Sequence, residues 1–452
     1  MEIKNHKKVA LVMLATLCFF TGLATASSDL KMDSVQYVGN ESIDVLFNQY
    51  YEEISLDELG KSGVYRLNVP NTITKYDLLL MNPELFKKDA DLGKMTIQLI
   101  GQNFELQLEP GIWVSKGDKE IIKNETGIYE IDMPEVYNYY GSVVGIPESK
   151  VRFTVSDDAV LGWIEVKDVK YIISQAGWME ENGEKKVLHV VYRNTDKVVS
   201  GVPPASDDVA YESNNTVDVY SKSETFKTQS PSSILSTTTV TLLSAYDTEF
   251  KNEFASPGTE IYNMMADVNS AYGVSDIGVN FDADYYYYDS DLSSTRSDLL
   301  LGEFRSENSA LRDSANCDLA FLFSGKCFSD SAIGRSYVYS GLSNAAYGVA
   351  QMVDEPGTTY DGTFDDRCSV VSHELGHNFG ADHQDSSHAY AKAYSWSYLG
   401  FTRYSIMYTP YKGIGSIGGM QLEFSSDTNH GDATHDNARR ISETKSTIAN
   451  FQ

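Results

Sequence analysis

The segment from His373 to His383 carries the residue types and the spacing of a metal site. Its sequence is HELGHNFGADH, with histidines at positions 373, 377 and 383. On a helix, positions i and i+4 lie on one face, so His373 and His377 can direct two ring nitrogens at one ion. Gly380 can take a positive φ and turn the chain out of the helix, which brings His383 back as a third ligand. The segment therefore predicts a three-histidine Zn²⁺ site.

Glu374 adds a reactive carboxylate to this site. It is offset from the two helical histidines, so it can hold a water molecule beside the metal instead of binding the ion. Three neutral histidines with one open position are typical of catalytic zinc, whereas a structural site is closed by a fourth protein ligand. Zinc lowers the pKa of water toward 7 and polarises a carbonyl group, and Glu374 can take the proton and pass it to a leaving amine. This chemistry is peptide-bond hydrolysis.

A methionine-containing turn follows the histidines. Residues 404–408 read YSIMY, and Met407 lies 24 residues beyond His383. This order of motifs resembles the metzincin clan of zinc endopeptidases, and within it the reprolysin or adamalysin group. The resemblance implies that Met407 is the Met-turn residue beneath the zinc. It also implies an α/β (α+β) catalytic domain with a mixed, mostly parallel sheet and an active-site helix.

The N-terminal half resembles the prodomains of the same group. The matching stretches are YYGSVVG at 139–145 and LGWI at 161–164. The resemblance implies a zymogen whose propeptide is an intramolecular inhibitor. This chain has no cysteine between residues 27 and 202, so inhibition through a propeptide thiol is excluded and another donor is required.

A second departure from the adamalysin group lies in the C-terminal half. Gln384, which follows His383, stands where adamalysins have Asp.

Changes in composition divide the chain into four segments. Residues 1–26 combine three lysines, a 12-residue apolar run and small residues, which predicts a secretory signal peptide. The run is shorter than the about 20 residues that a membrane span needs. Residues 27–202 alternate apolar and polar positions and predict a β-rich propeptide domain. Residues 203–237, rich in Ser, Thr and Asn, predict a linker and activation region, and 238–452 are the predicted catalytic domain.

The predicted catalytic domain alternates strand and helix patterns. Thr238 opens a strand pattern, and by likeness to relatives the opening strand is expected to continue to Phe250. Pro257 opens a helical pattern, and residues 433–451 predict a closing amphipathic helix. By likeness to relatives, the edge strand that pairs with an extended substrate is expected near 333–339. The mature protein is expected to begin between Gly201 and Thr239.

The net charge and the acidic clusters limit the kinds of molecule that the protein can bind. The 64 Asp and Glu against 36 Lys and Arg give a net charge of -28, which repels nucleic acid. The acidic clusters at 282–284, 361–366 and 427–436 could bind structural Ca²⁺, but their spacing favours solvated acidic faces. The expected partners are protein or peptide substrates, with no nucleic acid and no membrane span.

The cysteines allow one disulfide bond. After removal of the signal peptide, Cys317, Cys327 and Cys368 remain. An odd number permits one bond and one free thiol. Cys327 with Cys368 is the favoured pair, because Cys317 immediately precedes an apolar run. Buried, inert thiols are the alternative.

Two function classes follow from these patterns. The first is a secreted zinc-dependent endopeptidase made as a zymogen, with His373, His377 and His383 as ligands and Glu374 as general base and then acid. The second is a non-catalytic extracellular binding or adhesion module that keeps zinc for structure. Glu374 favours the first, because a structural site has no use for it.

Overall fold

The computed structural model describes residues 49–62, 64–115, 119–124, 126–133, 135–198, 203–210, 237–274, 276–415 and 418–451. All of them belong to one compact unit, Asp44–Gln452. The predicted signal peptide and residues 211–236 of the predicted linker lie outside the described residues. No helix in the described ranges is both long enough and apolar enough to cross a membrane.

The described residues before position 211 are mostly strands. Their elements are β1 (Tyr51–Glu53), α1 (Leu56–Ser62), β2 (Tyr65–Leu67), β3 (Asp77–Met81), α2 (Pro83–Asp91), β4 (Lys94–Leu99), β5 (Gln102–Ser115), β6 (Lys119–Asn124), β7 (Gly127–Asp132), β8 (Val136–Val143), β9 (Ile146–Val155), β10 (Val160–Val166), β11 (Val169–Glu181), β12 (Glu184–Arg193) and β13 (Ser206–Ala210). The β-rich character predicted for this half is confirmed.

The described residues from position 237 onward mix strands and helices. Their elements are β14 (Thr238–Asp247), α3 (Thr248–Glu253), α4 (Pro257–Tyr272), β15 (Val279–Asp289), α5 (Ser297–Ser314), β16 (Leu319–Ser324), β17 (Ala332–Tyr337), β18 (Tyr347–Gln351), α6 (Phe364–Asn378), β19 (Ser395–Tyr398), β20 (Phe401–Tyr404), β21 (Gly419–Met420) and α7 (Asn437–Ile448). The expected mixed α/β class is confirmed.

Two large sheets organise the molecule. The first has the order β1-β3-β12-β11-β10-β9-β8-β5-β4, with β2 paired to β11, and all its pairs are antiparallel. The second has the order β13-β17-β18-β16-β14-β15-β6-β7, in which only the β17–β18 and β6–β7 pairs are antiparallel. A third, small sheet joins β19, β20 and β21.

The second sheet contains strands from both halves of the chain. The hairpin β6–β7 comes from the predicted propeptide domain, and β13 comes from the predicted linker. The hairpin extends the sheet beyond β15, and β13 extends it beyond β17. Strands from before position 211 therefore cover both edges of the five strands that the C-terminal half supplies.

The alternating side-chain directions along the central strands explain why helices cover both faces of the second sheet. In β16, Phe321 and Phe323 face the core that α4, α6 and α7 share, whereas Ala320 and Leu322 face the core beneath α5. Successive side chains of a strand point to opposite faces, so a strand covered by helices on both sides is apolar throughout. The run LAFLF is therefore buried at every position.

The first sheet is also covered on both faces. Ile173 and Val191 pack in a core that contains Phe86 of α2, whereas Ile172 and Val190 pack in the core that contains α4 and α6. One face of the N-terminal sheet thus lies directly on the C-terminal half.

The strand that opens the C-terminal half is shorter than its sequence pattern indicates. The pattern continues to Phe250, but β14 ends at Asp247. The Asp247 side chain accepts a hydrogen bond from the Phe250 amide at 2.9 Å and caps helix α3. A capping aspartate satisfies a free amide of the first helical turn, so the chain leaves the sheet there.

Candidate metal and active site

Helix α6 begins at a capping box formed by Thr363 and Asp366. The hydroxyl and the amide of Thr363 both donate to Oδ2 of Asp366, at 2.6 and 3.3 Å. A carboxylate in the first turn also interacts favourably with the helix dipole. Nearly every residue of α6 is buried, so its histidines are held in a packed environment.

The end of α6 turns the chain back toward the site. The Ala381 amide donates to the Gly376 carbonyl and the Gly380 amide to the His377 carbonyl, each at 2.9 Å. This pair of bonds is a Schellman motif, which requires a residue with positive φ after the helix. Gly380 has φ of +83°. The expected turn is confirmed, and it returns His383 to the face that carries His373 and His377.

The three imidazole rings converge on one point. Their Nε2 atoms lie 3.1 Å from one another in all three pairs. A tetrahedral zinc with bonds of about 2.0–2.1 Å holds its ligands about 3.3–3.4 Å apart, so the spacing fits one ion. Among the described residues, these three form the group of side chains that could hold a metal.

The other ring nitrogens fix the tautomers. Nδ1 of His373 lies 2.8 Å from the Ile406 carbonyl oxygen, and Nδ1 of His377 lies 3.1 Å from that of Ala381. A carbonyl oxygen only accepts, so each Nδ1 carries the proton and donates it. Each Nε2 therefore presents its lone pair to the metal position. Such second contacts orient metal ligands and raise their basicity.

Glu374 lies against the second sheet. It is 1% exposed, and its carboxyl group lies so close to Gly334 of β17 that a Cβ there would be 2.2 Å from Oε1. A larger residue at position 334 would therefore displace this carboxylate. Gly334 was not predicted from the sequence. A glycine inside a strand can mark the close approach of another group, but that signal alone did not single it out.

Met407 lies beneath α6. It is fully buried, and a Cβ on Gly376 would be 2.6 Å from its sulfur. The preceding residue, Ile406, supplies the carbonyl that holds His373. The turn that contains Met407 therefore packs against α6 and supports His373.

Two further residues, which were not predicted from the sequence, hold α6 against the second sheet. The Asn378 amide donates to the carbonyls of Tyr337 and Tyr347, at 2.9 and 3.1 Å, on strands β17 and β18. The Tyr339 amide donates to the His377 carbonyl at 2.9 Å. No local pattern indicates these bonds, because each joins residues more than 30 positions apart.

The expected disulfide bond is not formed. Cys317, Cys327 and Cys368 are all free thiols. Cys327 lies 3.4 Å from a carboxylate oxygen of Glu355, whereas Cys368 is buried on α6 near the Met264 carbonyl. Burial raises the pKa of the Cys368 thiol well above its ordinary value, which keeps it protonated. The alternative of inert thiols describes Cys317 and Cys368.

The acidic cluster at 361–366 is not a solvated face. Lys197 binds Asp361 at 2.9 Å and Asp366 at 2.7 Å, and both carboxylates are buried. Lys170 binds Asp365 at 2.7 Å. Burial opposes the ionisation of Asp366, but Lys197 holds the pKa of this carboxyl below its ordinary value. Lysine ammonium groups thus neutralise these carboxylates, and nothing in the described residues supports a Ca²⁺ site.

The C-terminal half matches a known family. Residues 236–421 match the family described as metallo-peptidase family M12, of the Reprolysin_5 type. This segment contains all three histidines, Glu374 and Met407. The match supports the metzincin-like reprolysin type that the sequence motifs indicated. No curated protein is significantly similar to the chain.

Two solved structures are similar to the chain at low identity. The first is described as a chaperone–substrate complex, with 13% identity and a TM-score of 0.39. The match covers 48% of this chain and 35% of that one, so the chain spans about a third of that structure's length. The second is metalloproteinase-II from Bacteroides fragilis, with 11% identity and a TM-score of 0.42. It covers 77% of this chain and 90% of that one.

Proposed function

We propose that this chain is a secreted zinc-dependent endopeptidase that is made as a zymogen. The observation that carries the proposal is the triangle of Nε2 atoms, 3.1 Å on each side, two of which belong to the helix that also carries the buried Glu374. His373, His377 and His383 would hold zinc there, and the ion would lower the pKa of a water molecule and polarise the carbonyl group of the scissile peptide bond. The M12 match of residues 236–421 supports the same chemistry.

Glu374 moves the proton in the proposed reaction. Its carboxylate takes a proton from the attacking water and then gives it to the leaving nitrogen. Gly334 and the packed helix α6 hold this carboxylate in one place, which removes the entropic cost of positioning it during the reaction. The rival function, a binding module with structural zinc, gives no role to a carboxylate buried beside the three histidines.

Strand β13 supports the zymogen part of the proposal. It pairs in parallel with β17, with Ser206 opposite Ala332 and Ala210 opposite Tyr337. β17 is the strand that carries Gly334 beside Glu374. A substrate that binds as an added strand needs the free edge of β17, and β13 occupies that edge. Residues 27–202, with this segment attached, would thus inhibit the enzyme until they are removed.

Secretion and processing complete the proposal. The signal-peptide pattern at 1–26 supports export, and we expect the active form to begin between Gly201 and Thr239. N-terminal sequencing of the active protein tests this expectation. A fully active form that begins near Ser27 would contradict the zymogen.

The central test is the substitution Glu374→Gln. We expect peptide cleavage to fall by about 10²- to 10⁴-fold, because the amide cannot accept the proton. The zinc content should stay near one ion per chain, because the three histidines are unchanged. Asp385→Asn is the matched control, since it neutralises an exposed carboxylate two residues after His383. Casein digestion and metal analysis give the two readouts.

Chelation separates the proposed function from its rival. Removal of zinc should silence casein digestion, and added zinc should restore it. Undiminished cleavage by the Glu374→Gln variant would contradict the role of this residue. Cleavage that survives loss of the metal would contradict the whole mechanism.

A further inference from the structure

The outer edge of β15 is covered by a strand from the predicted propeptide. β6 pairs with it in parallel, with Ile121 opposite Tyr287, Ile122 opposite Tyr288 and Lys123 opposite Asp289. The Lys123 carbonyl also accepts hydrogen bonds from the amide and the hydroxyl of Ser290, at 3.3 and 3.2 Å. The edge therefore receives an extended segment along its backbone.

The side chains of β6 fit the surface beside this edge. Ile122 is 4% exposed, and Ile121 packs against the apolar core that includes Leu301 and Tyr287. Two consecutive apolar side chains point to opposite faces of a strand. On one side of the β15 edge, therefore, Ile121 contacts the apolar core of the C-terminal half, and on the other side Ile122 is enclosed.

An acidic pocket lies at the end of the paired segment. Nζ of Lys123 lies 2.7 Å from Glu307, 3.3 Å from Asp289 and 3.6 Å from Asp291. All three carboxylates belong to the C-terminal half, on β15, on α5 and on the loop after β15. Once Lys123 leaves, three negative charges remain together and favour a new cation.

We propose that this edge is a second peptide-binding site of the mature enzyme. It would bind an extended segment of a protein substrate that has two apolar residues followed by Lys or Arg, in parallel with β15. The inference rests on the proposed function, because removal of the propeptide must uncover the edge. A long strand with free amides and carbonyls is a ready template for such pairing.

The second site is separate from the zinc site. β15 and β17 lie at opposite edges of the five C-terminal strands, four positions apart in the sheet. Strands are spaced about 4.8 Å apart, so these two edges are about 19 Å apart. A protein substrate can therefore occupy both sites, whereas a short peptide occupies only the zinc site. The site would select among protein substrates without changing the hydrolysis of short peptides.

The test uses a labelled peptide of residues 119–132, which form the β6–β7 hairpin. Its binding to the processed enzyme is measured by fluorescence anisotropy, with a hydroxamate inhibitor saturating the zinc site. We expect saturable binding. Glu307→Lys in the enzyme should weaken this binding by about tenfold, because it replaces the closest carboxylate with a like charge. A peptide with Lys123→Glu should bind the Glu307→Lys enzyme more tightly than the unchanged enzyme.

Activity assays provide the matched readout. Hydrolysis of a short chromogenic peptide should be equal in the unchanged and Glu307→Lys enzymes. Cleavage of a protein substrate with the apolar-apolar-basic pattern should fall in the variant. Equal loss on both substrates would overturn the inference, because it would show damage to the zinc site.

A second arm does not depend on processing. In the full-length chain, Ile122→Asp combined with Lys123→Glu should release β6 from the edge. The added hairpin peptide should bind this variant and not the unchanged full-length chain. Failure of the peptide to bind both the processed enzyme and this variant would overturn the inference. Binding to the variant together with full activity of an enzyme that retains β6 would support the site and contradict the zymogen.

Self-association is the remaining outcome. Sedimentation of the processed enzyme distinguishes it from substrate binding. A dimer that the hairpin peptide does not dissociate would overturn the inference in favour of edge pairing between two copies.

Discussion

Gly376 lets helix α6 pack closely against the turn that contains Met407. A glycine inside a helix costs about 1 kcal/mol relative to alanine, so the sequence alone presents it as a defect. The structure supplies the reason, since a Cβ would be 2.6 Å from the Met407 sulfur and 3.2 Å from the Phe424 ring. The glycine lowers the helix propensity of α6, but it allows the helix to approach Met407 and Phe424 closely.

Gly376→Ala should therefore destabilise the protein. We expect the free energy of unfolding to fall by about 1–3 kcal/mol, because overpacking a buried contact outweighs the gain in helix propensity. Zinc affinity should fall as well, since Ile406 next to Met407 holds His373. Urea unfolding and competition with a zinc indicator measure the two effects.

Gly302→Ala is the matched control on helix α5. A Cβ at Gly302 meets no atom within 4 Å, so this substitution should raise stability by about 0.5–1 kcal/mol. If Gly376→Ala raised stability as Gly302→Ala does, the contact with Met407 would not constrain the helix.

At the scale of elements, strand β12 carries a buried histidine. His189 is 1% exposed, and its Nε2 accepts a hydrogen bond from the Val160 amide at 3.3 Å. Burial lowers the pKa of His189 to about 4, from an ordinary value of 6.5. The folded sheet therefore requires the neutral ring, as expected for a packed histidine and not for a metal ligand.

This pKa shift predicts that acid weakens the N-terminal sheet. Between pH 6.5 and about 4 the unfolded chain binds a proton at His189 that the folded chain does not bind. The contribution of His189 to the free energy of unfolding is therefore fully present above pH 6.5 and is lost as the pH falls toward 4. The free energy of unfolding should drop by about 3 kcal/mol across this window from His189 alone. Urea unfolding at pH 7 and pH 4.5 measures the drop.

Two variants isolate His189 from other titrating groups. His189→Gln should flatten the pH dependence, because it removes the titrating ring but keeps a hydrogen-bond acceptor. His430→Gln, at a half-exposed position, is the control for the loss of a histidine. Equal pH dependence in the unchanged protein and His189→Gln would refute the assignment.

At the scale of the whole molecule, buried ion pairs join the N-terminal sheet to the C-terminal half. Arg152 of β9 lies 2.9 Å from Asp267 of α4, and both side chains are buried. Lys197 binds Asp361 and Asp366 at the start of α6. In every such pair between described residues the cation precedes the predicted linker and the anion follows it, so release of the proposed propeptide would leave the carboxylates without their cations.

Lys197→Met in the full-length chain should weaken this attachment. Removing one partner of a buried ion pair costs about 3–5 kcal/mol, because a charge is left without compensation. We expect the activity of the unprocessed protein to rise at least about tenfold. A loss of about 3–5 kcal/mol is larger than the about 1.4 kcal/mol that changes an equilibrium constant tenfold. Hydrolysis of a chromogenic peptide by freshly purified, unprocessed protein measures the change.

Lys87→Met is the control for this prediction. Lys87 pairs with Asp91 on the exposed side of α2, and such surface pairs contribute about 0–1 kcal/mol. The processed enzymes from both variants should be identical to the unchanged one, because neither lysine remains in them. Equal latency of the two unprocessed variants would contradict a role for Lys197 in holding the propeptide.

Local patterns were enough to predict that the side chains of His373, His377 and His383 converge, and to predict the classes of most elements. His373 and His377 share a helix face because four residues make about one helical turn, and Gly380 ends that helix because only glycine takes its φ without strain. These relations depend on neighbours within a few positions, so a local pattern contains them.

The partners of the sheet edges, and the contacts between the N-terminal sheet and the C-terminal half, follow from the three-dimensional packing and not from local patterns. The pairing of β6 with β15 and of β13 with β17 joins residues more than 100 positions apart, as do the contacts of Lys197 with Asp361 and Asp366. The free state of Cys327 and Cys368 and the closeness of Gly334 to Glu374 have the same origin. Such contacts depend on how whole elements pack, and no spacing along one chain specifies the packing.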